Sequence, residues 1–470
     1  MSRNNQIMLE MLESWSNRAG VVNTTGDLLD WVQQLNKTTK VSVRRTSVQE
    51  DSFWFYDDYK GEILNRKRSF FSIMGVRYFD NERFVSEQPI ILQKEIGYLG
   101  IIVKKIHGVL HFLMQAKVEP GNVNCVQISP TIQATKSNFT RAHGGRLPYY
   151  FEYFEKAGEN GTVLYDQIQS EQGSRFYGKR NRNIILLIEK EIPIYPNYKW
   201  MTLGQIKELM KIDNLVNMDT RTVLSGIPFV TCLHNAKVRE RAGQFFTDSA
   251  LMKSVFEADV ADSMQKIMPV INDYKMFHDV DRIIVPLNQL VDWQVDEYGV
   301  TCRRDADFTV GYFDIHIHGR EVQQWLQPLF CATGSADFVL FTRVHNGMRE
   351  YLISLKPEVG CFDKVEFGPT LQSVPGHETQ TERCLAEVLH RHLAEQTGIL
   401  RDVILSEEGG RFYHEQNRNL IVEVADGECE ACIAEDPGYQ WVSYALLNYL
   451  VQVNNCLNIQ LRNLISLIEI

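Results

Sequence analysis

The chain is written twice, and no other feature restricts its fold as much. Trp54 recurs as Trp293 and Gln88-Pro89 as Gln327-Pro328, each 239 residues later. At the same offset, Gln115-Ala-Lys117-Val-Glu119 is matched by Ser354-Leu-Lys356-Pro-Glu358, and Pro130-Thr131-Ile132-Gln133 by Pro369-Thr370-Leu371-Gln372. Further on, Ser170-Glu-Gln-Gly173-Ser-Arg175-Phe176-Tyr177 and Asn181-Arg182-Asn183 return 236 residues later as Ser406-Glu-Glu-Gly409-Gly-Arg411-Phe412-Tyr413 and Asn417-Arg418-Asn419. Tyr198-Lys-Trp200 returns as Tyr439-Gln-Trp441, 241 residues on, followed by helix-like stretches holding Asn217 and Arg221 or Asn458 and Arg462. Offsets that drift while the order holds mean that loops changed length and the fold elements persisted. Two homologous domains are expected, at 41–230 and 280–470, which suits 470 residues at roughly 150 per domain.

Between the copies, Asn235 to Lys275 is charged, with Phe246, Leu251, Val255, Phe256, Val260, Met264 and Met268 near helical spacing, so 231–279 reads as a bridging helical linker. Residues 1–40 read as one or two amphipathic helices, with Thr25 a candidate cap before Leu28, Leu29, Val32 and Leu35, and with dimer packing a plausible use. Alternating residues over 98–118 and 336–358 predict strands, as do the short apolar runs 183–188 and 419–424. Strand runs mixed with few helices, twice over, mean α+β.

Composition removes several classes of function. Hydrophobic residues are 44% and charged residues 23% of the chain, which is globular. A net charge of −10 argues against nucleic-acid binding, because neutralising phosphates needs an excess of base. No apolar stretch approaches a membrane span and the N-terminus is charged where a signal peptide is apolar, so a cytoplasmic protein is expected. Nine scattered cysteines point to reduced thiols, and Cys429-Glu-Ala-Cys432 lacks the second ligand pair a zinc site requires. His316 and His318 read as a sheet pair. No glycine-rich phosphate fingerprint occurs, so neither NAD nor ATP is expected.

In the second copy a strand ending at Gln372 leads through Pro375-Gly376 into a helix from Thr381 to Gln396, with Leu385, Val388, Leu389 and Leu393 on one face and Gly398 as its stop. Arg391-His392-Leu393-Ala394-Glu395-Gln396-Thr397-Gly398-Ile399 resembles the end of the Nudix hydrolase motif, R-E-U-X-E-E-X-G-U. Two of its acidic positions are His392 and Gln396. Glu395 alone cannot hold a Mg²⁺, which takes several oxygen ligands, and the first copy has Arg146-Leu-Pro-Tyr-Tyr-Phe-Glu-Tyr-Phe154 in the corresponding place. A metal-dependent nucleotide-sugar diphosphatase is therefore the lesser alternative, beside a non-catalytic nucleotide-sugar-binding protein.

The segment QAKVEPGNVNCVQISPTIQATKSNFTRAHGG, Gln115 to Gly145, resembles the signature of the sugar-nucleotide 2,3-dehydratases. That resemblance covers essentially the whole chain. It implies a tandem Nudix-like fold, a homodimer, and elimination of water from C2 and C3 of a dTDP-linked 4-keto-6-deoxyhexose without cofactor or metal. It also implies a downstream 3-ketoreductase acting on the diketo product.

Such a reaction needs a base for C3–H, a donor for the enolate oxygen at C4 and an acid for the departing hydroxyl. On a strand over 112–119, Gln115, Lys117 and Glu119 share one face. Lys117 then offers the enolate donor and Glu119 the base or acid, against the plainer reading of a structural ion pair repeated as Lys356 and Glu358. His143, without a counterpart in the second copy, would serve as a proton shuttle. Within the family-like segment, Asn122, Asn124, Ser129, Thr131, Gln133, Thr135, Lys136, Ser137, Asn138 and Arg141 supply donors for a diphosphate and sugar hydroxyls. Arg175, Tyr177, Lys179, Arg180 and Arg182 add cations and a stacking ring. Because Lys179 and Arg180 are not kept in the second copy, the active pocket is expected in the first domain and the second is read as a degenerate copy.

Overall fold

The computed structural model describes residues 3–49, 51–140, 147–229, 236–319, 322–372 and 378–470. The described residues form two seven-stranded sheets, one in each half, and two five-stranded sheets that each take one strand from the other half, in a mixed α+β architecture with two similar halves. In the first long sheet the order is Thr162–Ser170, Arg180–Ile188, Gly97–Ile106, Val109–Val118 and Tyr198–Met201. Val126–Ser129 flanks Val109–Val118, and Ile132–Ala134 flanks Gly97–Ile106. Arg180–Ile188 runs parallel to Gly97–Ile106, and the remaining pairs of this sheet are antiparallel. The second long sheet repeats the plan around Asp337–His345, Met348–Lys356 and Gln416–Glu423.

These central strands are largely buried on both faces, which is why 183–188 and 419–424 read as short apolar runs. Ile101, Val103 and Ile185 point into a core shared with Trp15, Ile206 and Leu224. The alternate residues Ile102, Ile184 and Leu186 pack beneath Tyr150, Phe151 and Phe154. The helix Arg3–Ser16 supplies Met8, Leu9, Met11, Leu12 and Trp15 to the first of these cores. Its apolar face is thus spent inside its own chain and is not left for dimer packing. The following helix, Thr25–Thr38, is capped by Thr24 through a reciprocal capping box with Asp27, one residue earlier than the sequence suggested; Thr25 Oγ1 instead donates to the Arg18 carbonyl at 2.8 Å.

The short sheets hold a feature that local sequence does not announce. Val41–Thr46, the opening strand of the first copy, pairs with Phe308–Ile317 of the second. Val280–Val285, which opens the second copy, pairs with Ser72–Asp80 of the first. Neither half closes its own short sheet. Three helices, Ala236–Gly243, Ser249–Phe256 and Val260–Phe277, lie in the stretch between the copies.

Two fully buried arginines, Arg221 and Arg462, fasten the halves at equivalent positions. Arg221 donates to the Ser406 carbonyl at 2.9 Å, and Arg462 donates to the Ser170 carbonyl and to Thr222 Oγ1. Gly121 N–H donates to the Gly409 carbonyl at 2.7 Å and Gly360 N–H to the Gly173 carbonyl at 2.6 Å, so each half's loop is seated in the other's. Against the expectation of reduced thiols throughout, Cys384 and Cys432 form a disulfide that ties Gln380–Glu395 to Glu430–Ile433. Those two cysteines stand close on neighbouring helices although 48 residues separate them, a proximity that spacing alone does not reveal.

Candidate active site

A cavity of about 920 Å³ opens over the first long sheet. Its floor is the end of Val109–Val118, where the two-residue strand period carries Gln115, Lys117 and, just beyond, Glu119 onto one side. Lys117 Nζ donates to Glu119 Oε1 at 2.7 Å, and Gln133 Nε2 donates to the same oxygen at 3.1 Å. Asn217, which caps the helix Met218–Ser225, in turn donates to Gln133 Oε1 at 3.1 Å and to Ser129 Oγ at 2.9 Å. A cation, a carboxylate and an amide are held in fixed relation before any ligand arrives.

Thr131, Gln133, Thr135, Ser137, Asn138 and Lys179 also line this cavity, with Thr135 and Ser137 hydroxyls 2.8 Å apart. Asn122, Asn124 and Ser129 lie behind it: Asn122 braces its own turn through the Cys125 carbonyl at 2.8 Å, and Asn124 accepts from Gln127. Lys136 is exposed on the short helix Lys136–Phe139. Arg175 faces a second cavity and stacks on Phe308 at 4.1 Å, while Arg180 stacks on Phe362 at 3.7 Å. Arg182 is paired to Asp166, and Tyr177 donates to the Arg282 carbonyl at 3.4 Å. These four belong to the framework. Arg141 and His143 lie outside the described residues, in a stretch whose flanks Asn138 and Pro148 both line the cavity.

Several lining groups escaped the sequence reading. Glu171 and Glu408 sit in the repeated Ser-Glu-Gln-Gly and Ser-Glu-Glu-Gly turns, and Arg411 in the Arg-Phe-Tyr element; all three were visible in the repeat but were not singled out as site residues. Trp325 and Gln327 arrive from the second half, so the cavity is composite. Asp219, between the repeated Asn217 and Arg221, stands where the second copy has Gln460.

Burial governs the electrostatics here. It raises Asp219 well above the usual carboxylate range, and the neighbouring Glu171, Glu408 and Glu119 raise it further while Lys117 opposes. Burial and Glu408 push Glu171 up; burial and Arg411 pull Lys179 down. Arg411 answers by donating to Glu408 Oε1 at 2.8 Å and to Gln93 Oε1 at 2.9 Å.

The second cavity, about 990 Å³, is the counterpart in the other half. Lys356 is turned away from Glu358 to Glu382, and Glu358, receiving Gln372 Nε2 at 2.9 Å, is pushed by burial up to about 7. Among the described residues, eight Asp or Glu and two Lys or Arg side chains line it, against four and four in the first cavity. A diphosphate therefore meets more cationic side chains in the first cavity than in the second. Of the Nudix-like positions, His392 faces Glu428 at 3.2 Å, Gln396 ends its helix in a left-handed conformation, and Glu395 is exposed. Among the described residues no group of three or more His, Cys, Asp or Glu is placed to hold a metal ion, and no helix is long and apolar enough to cross a membrane.

A family model described as NDP-hexose 2,3-dehydratase matches residues 25–227 and again 264–468. The chain belongs to this family. Three relatives carry the description dTDP-4-dehydro-6-deoxy-alpha-D-glucopyranose 2,3-dehydratase. That from Streptomyces violaceoruber is 34% identical over 95% of this chain and 98% of its own length. That from Saccharopolyspora spinosa is 35% identical over 95% and 91%, and that from Amycolatopsis orientalis 32% identical over 96% and 91%. Both family matches begin upstream of the exchanged strands, so each repeat of the dehydratase family includes the strand it lends to the other half.

Proposed function

We propose that this chain eliminates water across C2 and C3 of dTDP-4-keto-6-deoxyglucose, giving a 3,4-diketo-2,6-dideoxy sugar nucleotide, and that the first cavity is its active site. The observation that carries the reading is the Lys117–Glu119 pair, set at 2.7 Å on the floor of the first cavity, which Lys67, Lys179 and Arg411 also line. The C4 ketone acidifies C3–H; Glu119 takes that proton, and the Lys117 ammonium donates to the oxygen on which the enolate charge collects. An oxyanion donor of this kind is worth about 10²–10³ in rate. Thr135, Ser137, Asn138 and Lys179 offer donors to the diphosphate and sugar hydroxyls. His143 is the shuttle that exchanges protons with solvent.

The tandem fold is of Nudix type in this reading, with domains at 41–230 and 280–470. Its support is the order of the strands Glu366–Gly368 and Leu371–Gln372, the helix Gln380–Glu395 and then Gly398, which has a positive φ of 67°. The enzyme acts in the cytoplasm as a homodimer, and a ketoreductase consumes its reactive diketone. Incubating the pure protein with dTDP-4-keto-6-deoxyglucose and EDTA, with and without a 3-ketoreductase, tests the reaction. Loss of 18 mass units from the sugar, insensitive to EDTA, is expected; release of dTMP and a sugar phosphate would overturn it.

A further inference from the structure

We infer that Asp219 is the general acid that protonates the departing C2 hydroxyl, a role that rests on the dehydratase reading and completes it. Asp219 is 2% exposed, lines the first cavity and stands in the first turn of Met218–Ser225. It is joined to the Lys117–Glu119 pair through that helix, because the capping Asn217 holds Gln133 and Gln133 holds Glu119. Its buried Oδ1 has no hydrogen-bond partner among the described residues, so an acceptor or donor on a ligand is what that atom lacks. In the other half the same position, Gln460, also borders a cavity and also has an unpaired buried oxygen. Position 219 therefore faces a ligand space by construction, and the first half alone places there a group with a transferable proton. Burial among Glu171, Glu408 and Glu119 keeps that proton on the carboxyl.

The step balances without any further reagent. Loss of the C3 proton leaves its electron pair as the C3–C4 enolate. When the C4 carbonyl re-forms, that pair becomes the C2–C3 double bond, the C2–O bond breaks, and the leaving hydroxyl takes the Asp219 proton to depart as water. The remaining 3-enol tautomerises to the diketone: C2 gains the proton held by the base, and the enol O–H returns a proton to Asp219.

Asp219→Asn keeps the shape and removes the acid. In D₂O it is expected to exchange the substrate C3 proton, read by NMR, at close to the wild-type rate while elimination falls by ~10²–10⁴. Asp219→Gln, which installs the side chain of the other half, is the second variant, and thermal melting checks that either is folded. Full dehydration by a folded variant, or equal loss of exchange and elimination, would overturn the assignment. If wild-type protein neither exchanges nor dehydrates, it is the dehydratase reading that fails.

Discussion

Lys117 and Lys356 are the same residue by descent and do different things, because one neighbour changed. Lys117 keeps its partner on its own strand end, Glu119, so the pair faces the cavity together; Lys356 is drawn to Glu382 on the helix Gln380–Glu395. Lys117→Met should lower kcat by about 10²–10³ through the lost oxyanion donor. Lys356→Met should leave kcat within about threefold and cost only stability. Steady-state kinetics on both variants decide the matter, and equal small losses would remove Lys117 from the chemistry. For His143, exchange to Asn should reduce turnover at least tenfold, whereas His316→Asn, whose imidazole pairs with Asp314 on the second short sheet, should not. At this scale the sequence was a fair guide to the strand-borne residues, since a period of two places Gln115, Lys117 and Glu119 without reference to anything distant. It was a poor guide to Arg175, Arg180 and Arg182. A cation beside an aromatic ring or an aspartate 16 residues away spends its charge there, and those neighbours come from register and topology.

Elements tell the same story with longer range. Strands over 98–118 and 336–358 and the helix ahead of Gly398 were legible from periodicity and the glycine stop, because their signals lie within each segment. The exchange of Val41–Thr46 and Val280–Val285 was not, since a short strand of alternating residues fits either short sheet equally and only the closed fold selects one. Cavity residues from the partner half, such as Trp325 and Arg411, were hidden for the same reason. The exchange makes the crossing loops intolerant of change. A Cβ at Gly121 would lie 1.5 Å from the Phe412 carbonyl oxygen, a backbone atom that cannot swing aside. Gly121→Ala should thus cost on the order of 1–3 kcal/mol, the usual range for overpacking. It should also melt both halves in a single transition at lower temperature, as read by calorimetry. An unchanged melting temperature, or a split into two transitions, would contradict an interlocked pair of halves.

Taken whole, the molecule buries several carboxyl groups at the seam between its halves, and this fixes how its stability must vary with pH. Burial pushes Glu358 up to about 7 and Glu366 up to about 8, and it raises Glu407, Glu408 and Asp219 as well. A carboxyl whose folded pKa lies above its unfolded value, near 4.5 for Glu, holds more protons folded than unfolded between those two values. Its contribution is complete below about pH 4.5 and drains away as pH rises through 7 to 8. Lys207, lowered by burial to about 7, works in the opposite sense, but only between about pH 7 and its ordinary value near 10.5. Below about pH 4.5 the ion-paired Asp402 and Glu469, both lowered, lose their own contributions as they protonate. Stability should therefore peak near pH 5 and decline toward pH 8, the reverse of a protein held mainly by exposed ion pairs. Melting temperatures at pH 5, 6.5 and 8 check this directly. Glu366→Gln keeps an acceptor for Ser170 Oγ, which now bonds the Glu366 carboxylate at 2.6 Å, and removes the ionisation; the decline should be shallower in that variant. A wild-type melting temperature that climbs from pH 5 to pH 8 would mean that the carboxyls at the seam are ionised, and that the halves are joined by charge rather than by protonated acids.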